Sequence, residues 1–208
     1  MGFNFIKNSF LSLWPALTIG CVSLICIRIA YCRNHKNTFH FHTEFWMLIS
    51  AVYLLLLYGM LTRVDLNNYV GYNLVPFKEI LRYGIKSKQF FYLVLGNVAI
   101  FVPFGFMIAS YAKPKNIGAN FLIGAIVSTT IEFVQRRIGR CFDIDDIILN
   151  TIGCMLGYII YKLFDKIANH LPKFLRSDWF KNLICIIITI CIVIYLMKVM
   201  AIIWINLK

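Results

Sequence analysis

Acidic side chains are scarce in this chain of 208 residues, where nine Asp and Glu stand against 21 Lys and Arg. Charged residues of both signs make up only 14% of it, while 60% is hydrophobic. With a mean hydropathy of +0.75, that poverty of charge excludes an ordinary soluble domain and points to an integral membrane protein, buried in lipid and between helices. The polar gaps are too short for a soluble domain, and there is neither an internal repeat nor a low-complexity tract. The basic residues lie singly at the ends of apolar segments, where Lys and Arg reach toward phosphate headgroups. They form no basic stripe, so the formal charge of +12 does not imply a nucleic-acid partner.

Metal and redox motifs are missing as well. The seven cysteines are odd in number and show no C-x-x-C spacing, which argues against a disulfide framework and reads as small buried apolar residues. His35, His40 and His42 lie near Glu44, but a His-x-His with a distant third His is a weak ligand pattern, and the stretch reads as an interfacial loop. No Ser-His-Asp set, glycine-rich phosphate loop or Cys-His pairing can be assembled. The sequence therefore implies no metal and no cofactor.

What is present is apolar length. Six stretches reach the about 20 residues that a helix needs to cross the hydrocarbon core: 9–31, 45–62, 90–111, 117–137, 144–164 and 183–205. The fold class expected is all-α, a polytopic membrane helical bundle of about six transmembrane helices with short interfacial helices. The first stretch reads as an anchor rather than a signal peptide, since its apolar run is long and no small-residue cleavage site follows before Arg28 and Arg33. The gaps at 63–89 and 165–182 read as amphipathic surface helices. In the first, Pro76 opens a turn with Phe77, Ile80, Leu81 and Tyr83 toward lipid and Lys78, Arg82 and Lys86 toward headgroups; the second carries Ile167, Leu171, Phe174, Leu175 and Trp179 among basic residues. Loop Lys and Arg divide almost evenly between the two faces. Setting aside Arg136, Arg137 and Arg140, which lie near acids, tips the loops after the first, third and fifth spans toward the cytoplasm.

Four of the nine acids fall between Glu132 and Gly157, and ionisable groups at a bilayer are functional candidates by default. Asp143, Asp146, Asn150, Gly153 and Gly157 step by three and four, as do Gly124, Ser128, Glu132, Gln135 and Gly139. Each series marks one helical face, polar near the shared turn at Gly139 and Arg140 and small at depth. A hairpin of these two spans brings its polar ends together, and the span before it adds Asn97 at similar depth, with a proline at 103 below. Asn73, Lys78 and Arg82 are placed to roof the group. Plainer readings stand beside this one. Asp143 and Asp145 suit helix capping, Glu132 with Arg136 is an i, i+4 pair, and Asn97 alone is often interhelical glue.

Asn73-Leu-Val-Pro-Phe-Lys78, Gly96-Asn97, Phe101-Val-Pro-Phe-Gly105, Glu132-x-x-Gln135 and Gly139-Arg140-Cys-Phe-Asp143-Ile-Asp145-Asp146, followed by Asn150, Gly153 and Gly157, occur in this order over about 65–161. The ordered set resembles the VanZ-like family of small bacterial membrane proteins. The resemblance implies a multi-pass protein of the bacterial cell membrane, motif-bearing loops and both termini outside, acting at the cell envelope and associated with resistance to the glycopeptide teicoplanin. It divides the chain into an additional N-terminal transmembrane helix and loop (1–43), a VanZ-like core (44–164), and an interfacial segment with a C-terminal transmembrane helix (165–208).

Three functions fit. Asn97, Glu132, Gln135, Arg140, Asp143, Asp146, Asn150 and Lys78 form a site that binds an amphiphilic envelope molecule, a lipid-linked cell-wall precursor or lipid-bearing glycopeptide. Alternatively Glu132 and Asp146 are catalytic, acid or base and charge partner, with Arg140 holding a phosphate or carboxylate. In the third, the chain is a scaffold whose polar groups lock helices together. Membrane lipids are the partners common to all three, and no oligomeric state is implied. A transporter is disfavoured because no broken-helix inverted repeat is visible.

Overall fold

The computed structural model describes residues 19–20, 22–29, 40–61, 71–82 and 87–206. Most of the first expected span, with His35, Arg63, Tyr83 and Lys86, lies outside the described residues. The described elements are α1 (Phe41–Leu61), β1 (Tyr72–Asn73), α2 (Lys78–Arg82), α3 (Lys88–Ala112), α4 (Ile117–Arg137), β2 (Phe142–Asp143), α5 (Ile144–His170), α6 (Lys173–Arg176) and α7 (Asp178–Asn206). The architecture is all-α, a helical membrane bundle. Among the described residues, four helices are long and apolar enough to cross a membrane: Phe41–Gly59, Lys88–Ala112, Ile117–Arg137 and Ile144–His170. α7 occupies the last expected span.

Local chemistry sets the helix ends. Ser87 caps α3, its Oγ accepting from the Phe90 amide at 3.1 Å. At the other end Lys113 turns left-handed with φ 44° and donates to the Ala109 carbonyl, and Pro114 follows, which cannot continue the helix. α4 ends in a Schellman motif, with Arg140 donating to the Gln135 carbonyl at 3.0 Å and Gly139 to that of Arg136 at 3.3 Å. Gly139 has φ +91°, a conformation that costs L side chains about 1–2 kcal/mol.

The chain divides into two compact units. The one running through Leu54–Ile167 contains α3, α4 and α5, drawn close by small residues. A methyl added at Gly153 would fall on the Val98 carbonyl, one at Gly157 on the Val102 carbonyl, and one at Gly105 on the Cys154 carbonyl. α3 and α5 therefore pack backbone to backbone, the close approach that membrane helices use when lipid removes the hydrophobic drive. Asn120 of α4, with 0% exposure, ties the other two together by donating to Gly105 O at 2.8 Å and Cys154 O at 3.4 Å.

The other unit comprises the described residues among 14–53 and 168–208. In it Arg28 Nε donates to both Glu44 oxygens at 2.9 and 2.8 Å, and Asn182 Oδ1 accepts from the His42 amide at 2.8 Å.

The expected interfacial helix at 165–182 is replaced by other structure. α5 runs on to His170 and α7 begins at Asp178, leaving only the short α6 between them. Asp165 and Lys166 interrupt the hydropathy but not the helix, whose breaker is Pro172.

Candidate functional site

The loop before α3 and the loop after α4 meet in a parallel ladder of two residue pairs, Tyr72 with Phe142 and Asn73 with Asp143. Phe142 is buried between the Tyr72 ring at 6.0 Å and the Phe133 ring at 5.3 Å. The Arg136 guanidinium lies 4.7 Å from the Tyr72 ring centroid. Among the described residues Arg136 thus stacks on Tyr72 instead of pairing with Glu132. An aromatic face gives a guanidinium about 0.5–1 kcal/mol at exposed sites and more when desolvated.

This ladder corrects the reading of Asp143. The residue does not share a helical face with Asp146 and Asn150, because its backbone is the extended strand β2 and the helix starts one residue later. Its Oδ1 accepts from the Asn73 amide and from the Asp145 backbone N–H, both at 2.9 Å. Burial nevertheless raises the Asp143 carboxyl above its ordinary range, outweighing those two bonds, which lower it.

Asp145 is the residue that sequence reasoning passed over. Taken alone, its position suits a cap of its own helix, yet its carboxylate crosses to the loop and accepts backbone N–H groups from Phe77 at 2.5 Å, Glu79 at 2.8 Å and Ile80 at 3.1 Å. It is fully buried. Three amide donors meet a charge that burial would otherwise leave uncompensated, and they fix α2 over the ends of the spanning helices. Phe77 is held left-handed at φ 65°, uncommon for a bulky residue. An acid in the first turn of α5 was the only sequence signal, and it does not identify its partner.

Of the other expected site residues, Asn97 of α3 donates its amide to Asp146 of α5. Glu132 of α4 is 1% exposed, and its Oε2 accepts the Asp143 backbone N–H at 2.9 Å. Asn150 of α5 donates to Ser128 Oγ of α4 at 2.9 Å. Gln135 is 3% exposed and its carbonyl takes part in the turn. Arg140 lies within electrostatic reach of both Glu132 and Asp146, which also feel each other. Lys78 is apart from this group, exposed on α2, and Arg82 pairs with Glu79 at 3.0 Å on the same short helix.

Chemically, the arrangement has two layers. Asp145, Asp143 and Asn150 are bonded to the protein itself, holding loop to helix and helix to helix. Glu132 and Asp146 each accept one bond from the protein as well, and both also lie in the field of the Arg140 guanidinium. Among the described residues no cluster of three or more His, Cys, Asp or Glu is arranged for a metal ion.

The profile of the family described as VanZ/LLP1 matches residues 44–165, more than half of the chain and all of the helices that build this site. Protein VanZ of Enterococcus faecium is 36% identical over 78 residues, which is 36% of this chain and 48% of that protein. The chain therefore spans about half the length of that curated relative. No solved structure matches. The chain belongs to the VanZ/LLP1 family and is a membrane protein.

Proposed function

We propose that this multi-pass protein acts at the bacterial cell envelope, binding the polar head of an amphiphilic envelope molecule at the acid-bearing ends of α3, α4 and α5. In this reading the protein contributes to tolerance of teicoplanin-type glycopeptides. Membership of the VanZ/LLP1 family supports the setting. The observation that carries the site is the convergence of Glu132, Asp146 and Arg140 where side chains from three spans meet. The motif-bearing loops and both termini face outside in this proposal, in keeping with the distribution of loop Lys and Arg. Cysteine labelling at Lys78 and Lys173 from the two sides of intact cells checks that orientation.

The test of the site uses near-isosteric changes. Glu132→Gln retains an oxygen to accept the Asp143 amide, and Asp146→Asn retains one for Asn97, so each removes an ionisable carboxyl while leaving the bonds available. At matched protein level, either variant loses teicoplanin tolerance in an expressing host. Unchanged tolerance in both overturns the site.

A second reading rests on the mutual electrostatic influence of the two carboxylates. In an intramembrane enzyme Glu132 acts as acid or base, Asp146 as its charge partner, and Arg140 holds a phosphate or carboxylate. Purified protein incubated with labelled lipid-linked precursors separates the two readings, since only an enzyme turns them over. If the polar groups serve only as a scaffold, the variants lower thermal stability and protein level, and tolerance falls in proportion to amount.

A further inference from the structure

α4 borders a second feature on its other flank. Leu54, Leu57 and Tyr58 of α1 face Ile131 and Val134 of α4 across a cleft of about 190 Å³. Thr130 also lines it, but its hydroxyl donates to the Ile126 carbonyl at 2.8 Å and leaves no unmet donor toward the cleft. The remaining lining residue is Gln135, buried one helical turn from Glu132 at the polar end. Both helices are long and apolar enough to cross a membrane, so the medium that fills the cleft is hydrocarbon. A flat apolar face takes any neighbouring acyl chain in turn. A cleft that ends at a residue of the polar cluster is instead continuous with the place where a head group would be held.

We propose that this cleft receives one hydrocarbon chain of the amphiphile whose head engages Glu132, Asp146 and Arg140, so that the ligand class is a polar-headed molecule inserting a single chain between α1 and α4. The inference rests on the head-binding reading above. Gln135 marks the junction, and the apolar side chains one to two turns away hold the tail. Specificity for the ligand then has two separable parts, charge at the head and fit at the tail.

The experiment uses the full chain in vesicles of phosphatidylglycerol and phosphatidylethanolamine, with a monoacyl phosphatidylglycerol that carries a diazirine in its chain. Photocrosslinks are expected to concentrate at 54–58 and 130–134. They should fall severalfold in Ile131→Trp, which fills the cleft, and in Leu54→Trp, which closes its rim at a position 43% exposed and so tolerant of bulk. Leu156→Trp, on an exposed face of α5, keeps the labelling. Crosslinks spread as heavily over Leu156 and Ile159 as over the cleft, and unmoved by either filling variant, overturn the proposal. Teicoplanin tolerance in Glu132→Gln distinguishes this failure from failure of the head site. Tolerance lost with the cleft unlabelled removes the tail slot alone, whereas a labelled cleft with tolerance intact removes the head site alone.

Discussion

The two ends of the α3, α4 and α5 cluster are held by opposite means. Toward the small-residue end, helices touch through Gly105, Gly153 and Gly157, with Asn120 as a single buried polar tie. Toward the other end, carboxylates and amides reach across the gaps: Asn97 to Asp146, Ser128 with Asn150, Glu132 to the β2 backbone, and Asp145 to the loop. Glycine packing in lipid gains stability from close contact and leaves no group to recognise anything. Polar ties satisfy one another but also gather four ionisable groups, Glu132, Asp143, Asp145 and Asp146, at one end of the helices. The difference teaches that the first end can be read as structure alone, while the second combines structure with a concentration of ionisable groups.

The largest effect is expected at the boundary of these two roles. Asp145→Ala leaves three backbone donors without an acceptor, and bonds to a charged group contribute about 1.5–3 kcal/mol each. Loss of the anchor should lower the melting temperature in detergent and accelerate hydrogen exchange at Phe77, Glu79 and Ile80. Slow exchange at those amides in the variant would mean that the loop is held by something else.

Next comes the glycine end. Gly157→Ala drives a methyl into the α3 backbone at the Val102 carbonyl, and overpacking of that kind costs about 1–3 kcal/mol. Melting should fall while teicoplanin tolerance per folded molecule stays the same, because this end is remote from the proposed head site. A loss of tolerance beyond the loss of protein would blur the contrast drawn here.

Tyr72→Leu should have a smaller effect. It removes the ring beneath Arg136 and with it about 0.5–1 kcal/mol, a loss a melting curve resolves. The smallest effect is on pH dependence. Asp143 has a raised carboxyl pKa, so the folded state binds more protons than the unfolded one above the ordinary Asp range. Its contribution is favourable at low pH and is lost as pH rises through the folded value. Asp143→Asn should flatten that part of the stability profile, and an unchanged profile would show that another group sets it.

Much of this was legible in the sequence for one physical reason, that helical neighbours recur at three and four residues. That rule places Ser128 and Glu132 on one face of α4 and Asp146 and Asn150 on one face of α5, and the helices do bring these faces together. Of the six expected spans, four coincide with helices long and apolar enough to cross a membrane, α1, α3, α4 and α5; α7 covers the residues of the last, and the first lies mostly outside the described residues. What the rule misses is contact across a loop. The ladder has two residues per strand, too few for any alternation to show, and so Asp143 looked like the first member of a helical stripe. Asp145 binds amides 65–68 residues earlier in the chain, a distance along the sequence over which no local pattern carries information. Arg136 had Glu132 one turn away and took Tyr72 instead, because the ladder brings that ring to it.

Native mass spectrometry of the purified chain offers the most direct check on the proposed head site, comparing envelope amphiphiles retained by the unaltered protein and by a Glu132→Gln, Asp146→Asn double variant. A retained amphiphile that disappears from the double variant, with melting unchanged, is the predicted result. Equal retention by both proteins, or a loss that only tracks unfolding, would contradict the claim that charge at this end of the helices binds a ligand.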